Sequence, residues 1–106
     1  MTKVTLKRIS PDHFVIRLDG HANFVKEGPD ILCAAISVAA QMAIVGLQEI
    51  AKADVEVFED QTAGLMIINV LSMIDEPVVQ SQIKTFETTI KILANQYPEN
   101  IHVCSQ

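Results

Sequence analysis

The 106-residue chain contains no tryptophan, one tyrosine and four phenylalanines, so aliphatic side chains must build most of its core. With only four glycines and four prolines, it has no low-complexity tract and no segment of disordered composition. Its two cysteines are too few for a disulfide framework, and neither belongs to a Cys-x-x-Cys pair. Strand-like alternation follows Met1 where a secretion signal would be apolar. We therefore expect free thiols in a reducing cytoplasm.

Positive charge is also scarce. Eight Lys and Arg stand against thirteen Asp and Glu, which gives a formal net charge of −5 and an isoelectric point near 5.0. The basic residues are dispersed, whereas binding to a nucleic-acid backbone needs them clustered. The composition therefore argues against direct nucleic-acid binding. An acidic surface instead favours a basic peptide or protein partner.

One long apolar run extends from Ile31 to Leu47. These 17 residues are at the short limit for a membrane span, and they include Ser37, Gln41 and Gly46. A helix that is apolar on all sides is also typical of the core of a small α/β protein. We favour the buried helix and expect no membrane association.

Hydrophobic periodicity predicts seven elements in the order β-β-α-β-β-α-β. Their approximate bounds are 4–7, 14–18, 31–52, 55–59, 65–73, 77–97 and 101–104. The first helix is predicted to be buried, and the second carries one apolar stripe (Val79, Ile83, Phe86, Ile90, Leu93 and Tyr97). The length and this order indicate a single domain over residues 1–106, of α/β (α+β) class. We expect a layered sandwich of a mixed sheet and two main helices.

The residues with the clearest chemical potential are His21 and Cys33, twelve positions apart. Cys33 lies in the first turn of the predicted helix, where the helix dipole favours the thiolate. His21 follows a predicted strand, on a loop bounded by Gly20 and Gly28 that can fold back toward the helix start. A thiol beside a base is the minimum equipment for nucleophilic catalysis by cysteine. The competing interpretation is a small buried cysteine and a loop histidine without a task.

Asp30 and Ser37 are candidates for supporting roles. Asp30 is a good N-cap, which local sequence favours, and it is also a candidate to orient His21, since both border the same loop. Ser37 lies one turn after Cys33 on the same helix face, where serines more often bond back to a carbonyl. Backbone N–H groups at the helix start, that of Cys33 included, are candidate oxyanion donors.

The other chemistry-bearing residues give weaker signals. We expect the following to be structural or solvent-exposed: His13, His102, Cys104 and the cluster Glu56, Glu59 and Asp60. His102 and Cys104 share a strand face, but two ligands do not make a zinc site. No phosphate-loop spacing is present. The sequence therefore predicts no metal and no cofactor.

Two linked motifs resemble a known family. Gly20-His21-Ala22, a short loop, and then the segment from Gly28 through Pro29, Asp30, Cys33, Ala34 and Ala35 to Ser37 look like the signature of the Prp family. These are ribosomal-processing cysteine proteases, also called the YsxB-like proteins. All motif elements are present in order, and the length and element order fit over the whole chain.

The resemblance implies a cysteine endopeptidase with Cys33 as nucleophile and His21 as base. Asp30 and Ser37 match supporting polar positions. The loop between the dyad residues would shift to admit the peptide; its residues here include Ala22, Asn23, Phe24, Val25 and Gly28. The implied substrate is a large-subunit ribosomal protein whose short N-terminal extension, ending in a hydrophobic stretch with paired phenylalanines, is removed. The family is described as homodimeric.

Two other functions stay open on the sequence. One is a non-catalytic, ribosome-associated protein-binding module in which Cys33 is a packing residue. The other is a thiol hydrolase or acyl-transfer enzyme with a small substrate. The strand at 65–73 and the stripe of the second helix offer more apolar surface than a small monomer needs, which favours a homodimer.

Overall fold

The computed structural model describes residues 1–21 and 30–106. It contains five strands and two α-helices in the predicted order. The elements are β1 (Thr2–Ser10), β2 (His13–Asp19), α1 (Ile31–Val45), β3 (Val55–Asp60), β4 (Leu65–Val70), α2 (Pro77–Gln96) and β5 (Ile101–Ser105). A π-helical turn, Gly46–Ile50, directly continues α1. The predicted α+β class with a mixed sheet and two helices is confirmed.

The five strands form one mixed sheet in the order β3-β4-β2-β1-β5. The pair β1–β5 is parallel and the other three pairs are antiparallel. Strands β1 and β2 form a hairpin around Pro11 and Asp12. The parallel partner β5 follows α2, because a parallel pairing needs a long crossover connection.

The sheet has one buried face and one open face. Aligned positions on the buried face carry aliphatic side chains that are almost fully covered: Val4, Leu6, Ile16, Leu18, Ile68 and Val70. Both helices contribute the other half of this core. The opposite face carries Lys3, Lys7 and Arg17, which are exposed. The fold is thus a two-layer sandwich in which the helices cover one side of the sheet.

Helix α1 is buried along one side only, which corrects the expectation of a fully buried helix. Its core side comprises Leu32, Ile36, Ala40, Ala43 and Ile44. Its opposite side leaves large apolar side chains exposed: Ile31, Val38, Met42 and Val45, followed by Ile50 in the π-helical turn. The segment Ile31–Ile50 has a mean hydropathy of 1.9 and is long enough to cross a membrane. In this fold that segment supplies core residues on one side and an apolar surface on the other.

Helix α2 is amphipathic, as its spacing predicts. Four residues of its stripe (Val79, Ile83, Phe86 and Ile90) are buried in the core. Most of the stripe is therefore covered inside the monomer and leaves little of the spare apolar surface that we predicted for it, although the half-buried Leu93 lines a groove between α1 and α2. A row of more exposed apolar side chains lies on α1.

Strand β4 lies inside the sheet, between β3 and β2. It ends at Val70 and not at Met73, because the chain turns there: Met73 has a left-handed backbone with φ of 57°. The residues beyond the strand are held by Asp54, whose carbonyl accepts from the Leu71 N–H and whose N–H donates to Ser72 Oγ, both at 2.8 Å. The apolar run is thus longer than the strand.

Candidate active site

His21 lies at the end of β2, against the turn between β3 and β4. The Gly20 N–H donates to the Gly64 carbonyl at 2.8 Å, which joins the end of β2 to this turn. Gly64 has φ of +65°, and a Cβ added there would lie 2.9 Å from both Cε1 and Nε2 of His21. The imidazole therefore packs directly over a glycine that leaves it room.

Gly20 is the second position where only glycine fits. Its φ is +96°, and a Cβ would collide with the carbonyl oxygen of Met1. The hydroxyl of the buried Thr2 donates to the Gly20 carbonyl at 3.4 Å. The start of β1 and the turn before β4 thus fix the backbone that carries His21, which itself is exposed.

Cys33 lies in the first turn of α1, as predicted, and is half-buried against the core. Asp30 is the N-cap of this helix: its Oδ1 accepts from the N–H groups of Leu32 at 3.0 Å and of Cys33 at 3.1 Å. The prediction of Asp30 as a cap is confirmed. The Cys33 N–H donates to this cap, and its role as an oxyanion donor stays a prediction.

One open cleft of about 240 Å³ brings the predicted residues together. His21, Cys33 and Ser37 all line it, although His21 and Cys33 come from different layers of the sandwich. Ser37 is exposed one turn along α1. Leu18, Ile36, Ala40 and Met66 supply apolar lining. An apolar cleft with a few convergent polar groups is the usual form of a ligand site.

For two sets of predicted residues, the described structure does not test a place in this cleft. Asp30 is not among the described lining residues, so its proposed contact with His21 stays a prediction beside its observed capping role. The substrate loop predicted at Ala22–Pro29, with Ala22, Asn23, Phe24, Val25 and Gly28, lies outside the described residues.

Sequence reasoning missed the rim of the cleft. Glu59, Asp60 and Gln61 line it, although we assigned the two acids to a solvated hairpin. They are indeed exposed, but the contact between Gly20 and Gly64 places their turn beside His21. Only the pairing of β4 with β2 brings this turn near the site, and no local pattern encodes that pairing. Gly64, which directly follows a polar turn, was the one feature of the sequence that could have drawn attention to this turn.

The remaining candidates lie away from the cleft. His13 Nε2 contacts Asn69 Oδ1 at 2.8 Å, where β2 begins and β4 ends. Cys104 pairs in register with Thr5 and shares the open face of the sheet with Lys3 and Lys7. Within residues 1–21 and 30–106, no group of three His, Cys, Asp or Glu side chains is placed to hold a metal ion.

A cysteine and a histidine that share an open cleft are the pair of residues that a thiol-dependent hydrolase requires. Comparison with protein families gives the particular one. The model of the family described as cysteine protease Prp matches residues 1–102. The chain therefore belongs to the Prp family of cysteine proteases.

Solved structures show the same fold. The ribosomal processing protease Prp from S. aureus, in complex with a covalently linked product peptide, is 20% identical with a TM-score of 0.86, and each chain is covered over 100% of its length. The same protease with a substrate peptide is 19% identical, with a TM-score of 0.82 and full coverage of both chains. SMU.848 from Streptococcus mutans is 28% identical with a TM-score of 0.79, covering 100% of this chain and 96% of the other. A search among curated proteins finds no significant match.

The family assignment decides between the function classes that the sequence left open. A chain of this family is a cysteine-type peptidase, and so an enzyme. It is not expected to be a non-catalytic binding module. The family match does not by itself assign roles to the individual residues Cys33, His21, Asp30 and Ser37.

Proposed function

We propose that this chain is an endopeptidase that removes the short N-terminal extension of a large-subunit ribosomal protein, with Cys33 and His21 as its catalytic dyad. One observation carries the proposal: in a chain of the Prp family, the only histidine and the only cysteine lining this cleft, among its described residues, face the same space. The S. aureus relatives bound to substrate and product peptide support a peptide as the occupant.

The reaction at the dyad would have two stages, acylation of Cys33 and hydrolysis of the resulting thioester. The Cys33 thiolate attacks the scissile carbonyl carbon, His21 holds the proton that the thiol has lost, and a tetrahedral oxyanion forms. His21 then donates that proton to the leaving amine as the C–N bond breaks, which leaves a thioester on Cys33. Water, deprotonated by His21, attacks the thioester and releases the carboxylate product and the thiol. No metal or cofactor takes part in these steps.

Helix capping affects how the oxyanion is stabilised. The Cys33 N–H points to Asp30 Oδ1, so it serves an oxyanion only when Asp30 releases it or shares it. Such backbone donors are the usual means of stabilising negative charge in acyl transfer. Ser37, exposed in the same cleft, is a candidate for orienting the substrate through its hydroxyl.

The test is incubation of the purified protein with the extended ribosomal-protein precursor, followed by mass determination of the product N-terminus. Wild type should release the extension as one defined peptide. Cys33→Ala and Cys33→Ser should abolish cleavage and retain the fold, since the side chain is half-buried and small. Cys104→Ser is the matched control and should retain activity, because Cys104 lies on the open face of the sheet. Cleavage by Cys33→Ala would refute the dyad.

We also propose that the enzyme is a cytoplasmic homodimer without direct nucleic-acid contacts. The exposed apolar side chains of α1 support the dimer, because a soluble monomer rarely leaves such a row uncovered. The groove beside them, between α1 and α2, has a volume of about 590 Å³ and is lined mainly by apolar side chains. A second copy of the chain is the occupant that the proposal assigns to this face.

A further inference from the structure

The first turn of α1 belongs to two surfaces at once. Cys33 and Ser37 line the active-site cleft. Ile31, Ala34 and Ala35, which flank Cys33 in the sequence, line the groove between α1 and α2 instead. An occupant of that groove therefore packs directly against the back of the turn that carries the nucleophile.

The groove and the helix beside it are uncharged. The residues of α1 include no Asp, Glu, Lys or Arg, and no described residue that lines the groove is charged. The charged side chains of α2 lie toward β5, where Glu87 pairs with Lys84 and Lys91 and accepts from Ser105. Because each chain has a net charge of −5, two copies repel each other least through an uncharged face. A basic partner, in contrast, would meet no acid among the described residues of this groove.

The exposed row of α1 is complementary to a second copy of itself. The small Ala34 lies in its N-terminal half, and the larger Met42 and Val45 protrude from its C-terminal half. Antiparallel packing of two α1 helices about Val38 brings Met42 opposite the partner's Ala34. The same two-fold pairing places Val45 over the partner's Ile31. A large side chain then meets a small one twice, as interdigitating helices require.

Ile31 links this contact to catalysis. It is the first residue of α1, it is 70% exposed, and it directly follows the Asp30 cap that binds the N–H groups of Leu32 and Cys33. Helix ends fray, and an end with few buried apolar contacts opens most easily. We propose that a second copy packs antiparallel on α1, covers Ile31 and so fixes the turn that carries Cys33, which makes peptide cleavage depend on the dimer. This inference rests on the proposed dyad and homodimer.

A requirement for the dimer makes activity depend on enzyme concentration. The value of kcat/KM per chain should fall when wild type is diluted below the dissociation constant of the dimer. Met42→Glu should be monomeric and should lose about tenfold or more in kcat/KM, because small misplacements of a catalytic group are costly. Met42 lies about 14 Å from Cys33 along the helix, so the new carboxylate does not touch the reacting atoms.

The matched control is Ile9→Glu. Ile9 is also an exposed apolar residue, but it lies at the far end of β1 and lines neither the groove nor the cleft. This variant should keep the mass and the activity of wild type. Light scattering and cleavage kinetics on the same samples measure both quantities.

A mixing experiment separates the missing partner from local damage. Met42→Glu is mixed with the double variant Ala34→Lys/Cys33→Ala, which has no nucleophile and places a lysine opposite the new glutamate. The two-fold equivalent pair keeps its native residues. The mixture should form a heterodimer and regain cleavage, all of it from the Met42→Glu chain. Cys33→Ala without the lysine is the control partner and should restore much less.

Three results would overturn the inference and leave the proposed dyad intact. They are a monomeric Met42→Glu that cleaves like wild type, a mixture that forms no heterodimer, and a heterodimer that shows no gain in cleavage. Cleavage by Cys33→Ala alone, or no cleavage by wild type at any concentration, would instead overturn the proposed function and this inference with it.

Discussion

At the scale of single residues, the position of the His21 imidazole depends on the absence of a side chain at Gly64 in the turn beneath it. The imidazole packs against Gly64, whose backbone is left-handed with φ of +65°. The cysteine is placed by a different device, the Asp30 cap at the start of α1. Both devices are local, but only the cap has a recognisable sequence pattern.

Gly64→Ala should therefore impair catalysis more than stability. The new Cβ would lie 2.9 Å from His21 Cε1 and Nε2 and must displace the ring. The left-handed backbone costs an alanine about 1 kcal/mol. We expect a loss of about tenfold or more in kcat/KM, because small misplacements of a catalytic group are expensive. Peptide-cleavage kinetics and thermal melting of the same sample check this, and activity equal to wild type would show that the ring has room to move.

Two substitutions separate the roles of Asp30. Asp30→Asn keeps a capping oxygen for the N–H groups of Leu32 and Cys33 and should preserve stability, whereas Asp30→Ala should lose about 1 kcal/mol. Chemical denaturation measures both. If the cap is the whole role, Asp30→Asn also retains cleavage activity. A stable but inactive Asp30→Asn would show that the charge acts on His21 as well.

At the scale of elements, α2 and β5 are tied by Glu87, which is almost fully buried. Its carboxylate accepts hydrogen bonds from Ser105 in β5 and from Lys84, with Lys91 nearby at 3.7 Å. The Ser105 hydrogen bond holds the pKa of Glu87 below its ordinary value, and the two lysines add to this against the opposing effect of burial. The charged form is thus the stabilising one.

Glu87→Gln should therefore lower the free energy of unfolding by about 1–2 kcal/mol at neutral pH. Because the folded pKa lies below the unfolded one, this stabilisation is present above the ordinary pKa of 4.5 and is lost as the pH falls through the folded value. Denaturation of both proteins from pH 7 to pH 3 should show the difference shrinking on the acid side. A difference independent of pH would mean that packing, not charge, carries the contribution.

The elements themselves were largely predictable. Period-two alternation identified β1, β2, β3 and β5, and the stripe from Val79 to Tyr97 identified α2. The pattern failed where tertiary contacts decide. It extended β4 to Met73, past the left-handed turn, and it could not show that α1 has an exposed side, since both sides are equally apolar.

The site was predictable in part for the same reason. The positions of Cys33 and Asp30 follow from one helix start. That His21 lines the same cleft follows from the sheet order, which no local pattern specifies. Glu59 and Asp60 were assigned to solvent because a charged turn is indistinguishable from a cleft rim until β4 is paired with β2.

At the scale of the whole molecule, the open apolar face of α1 bears on oligomeric state. Met42 is 69% exposed and belongs to the row that also contains Val38 and Val45. If this row is a homodimer interface, Met42→Glu should convert the dimer to a monomer of unchanged fold, since the side chain contributes little to the monomer core. Light scattering over a range of concentrations measures this. A wild-type mass that stays monomeric throughout would remove the homodimer.

The most direct measurement of the central claim is the rate at which iodoacetamide labels each thiol. If Cys33 and His21 form a dyad, Cys33 should be alkylated near neutral pH much faster than Cys104 in the same protein. His21→Ala should slow the labelling of Cys33 and leave that of Cys104 unchanged. Equal and slow labelling of both cysteines, unaffected by His21→Ala, would contradict the account.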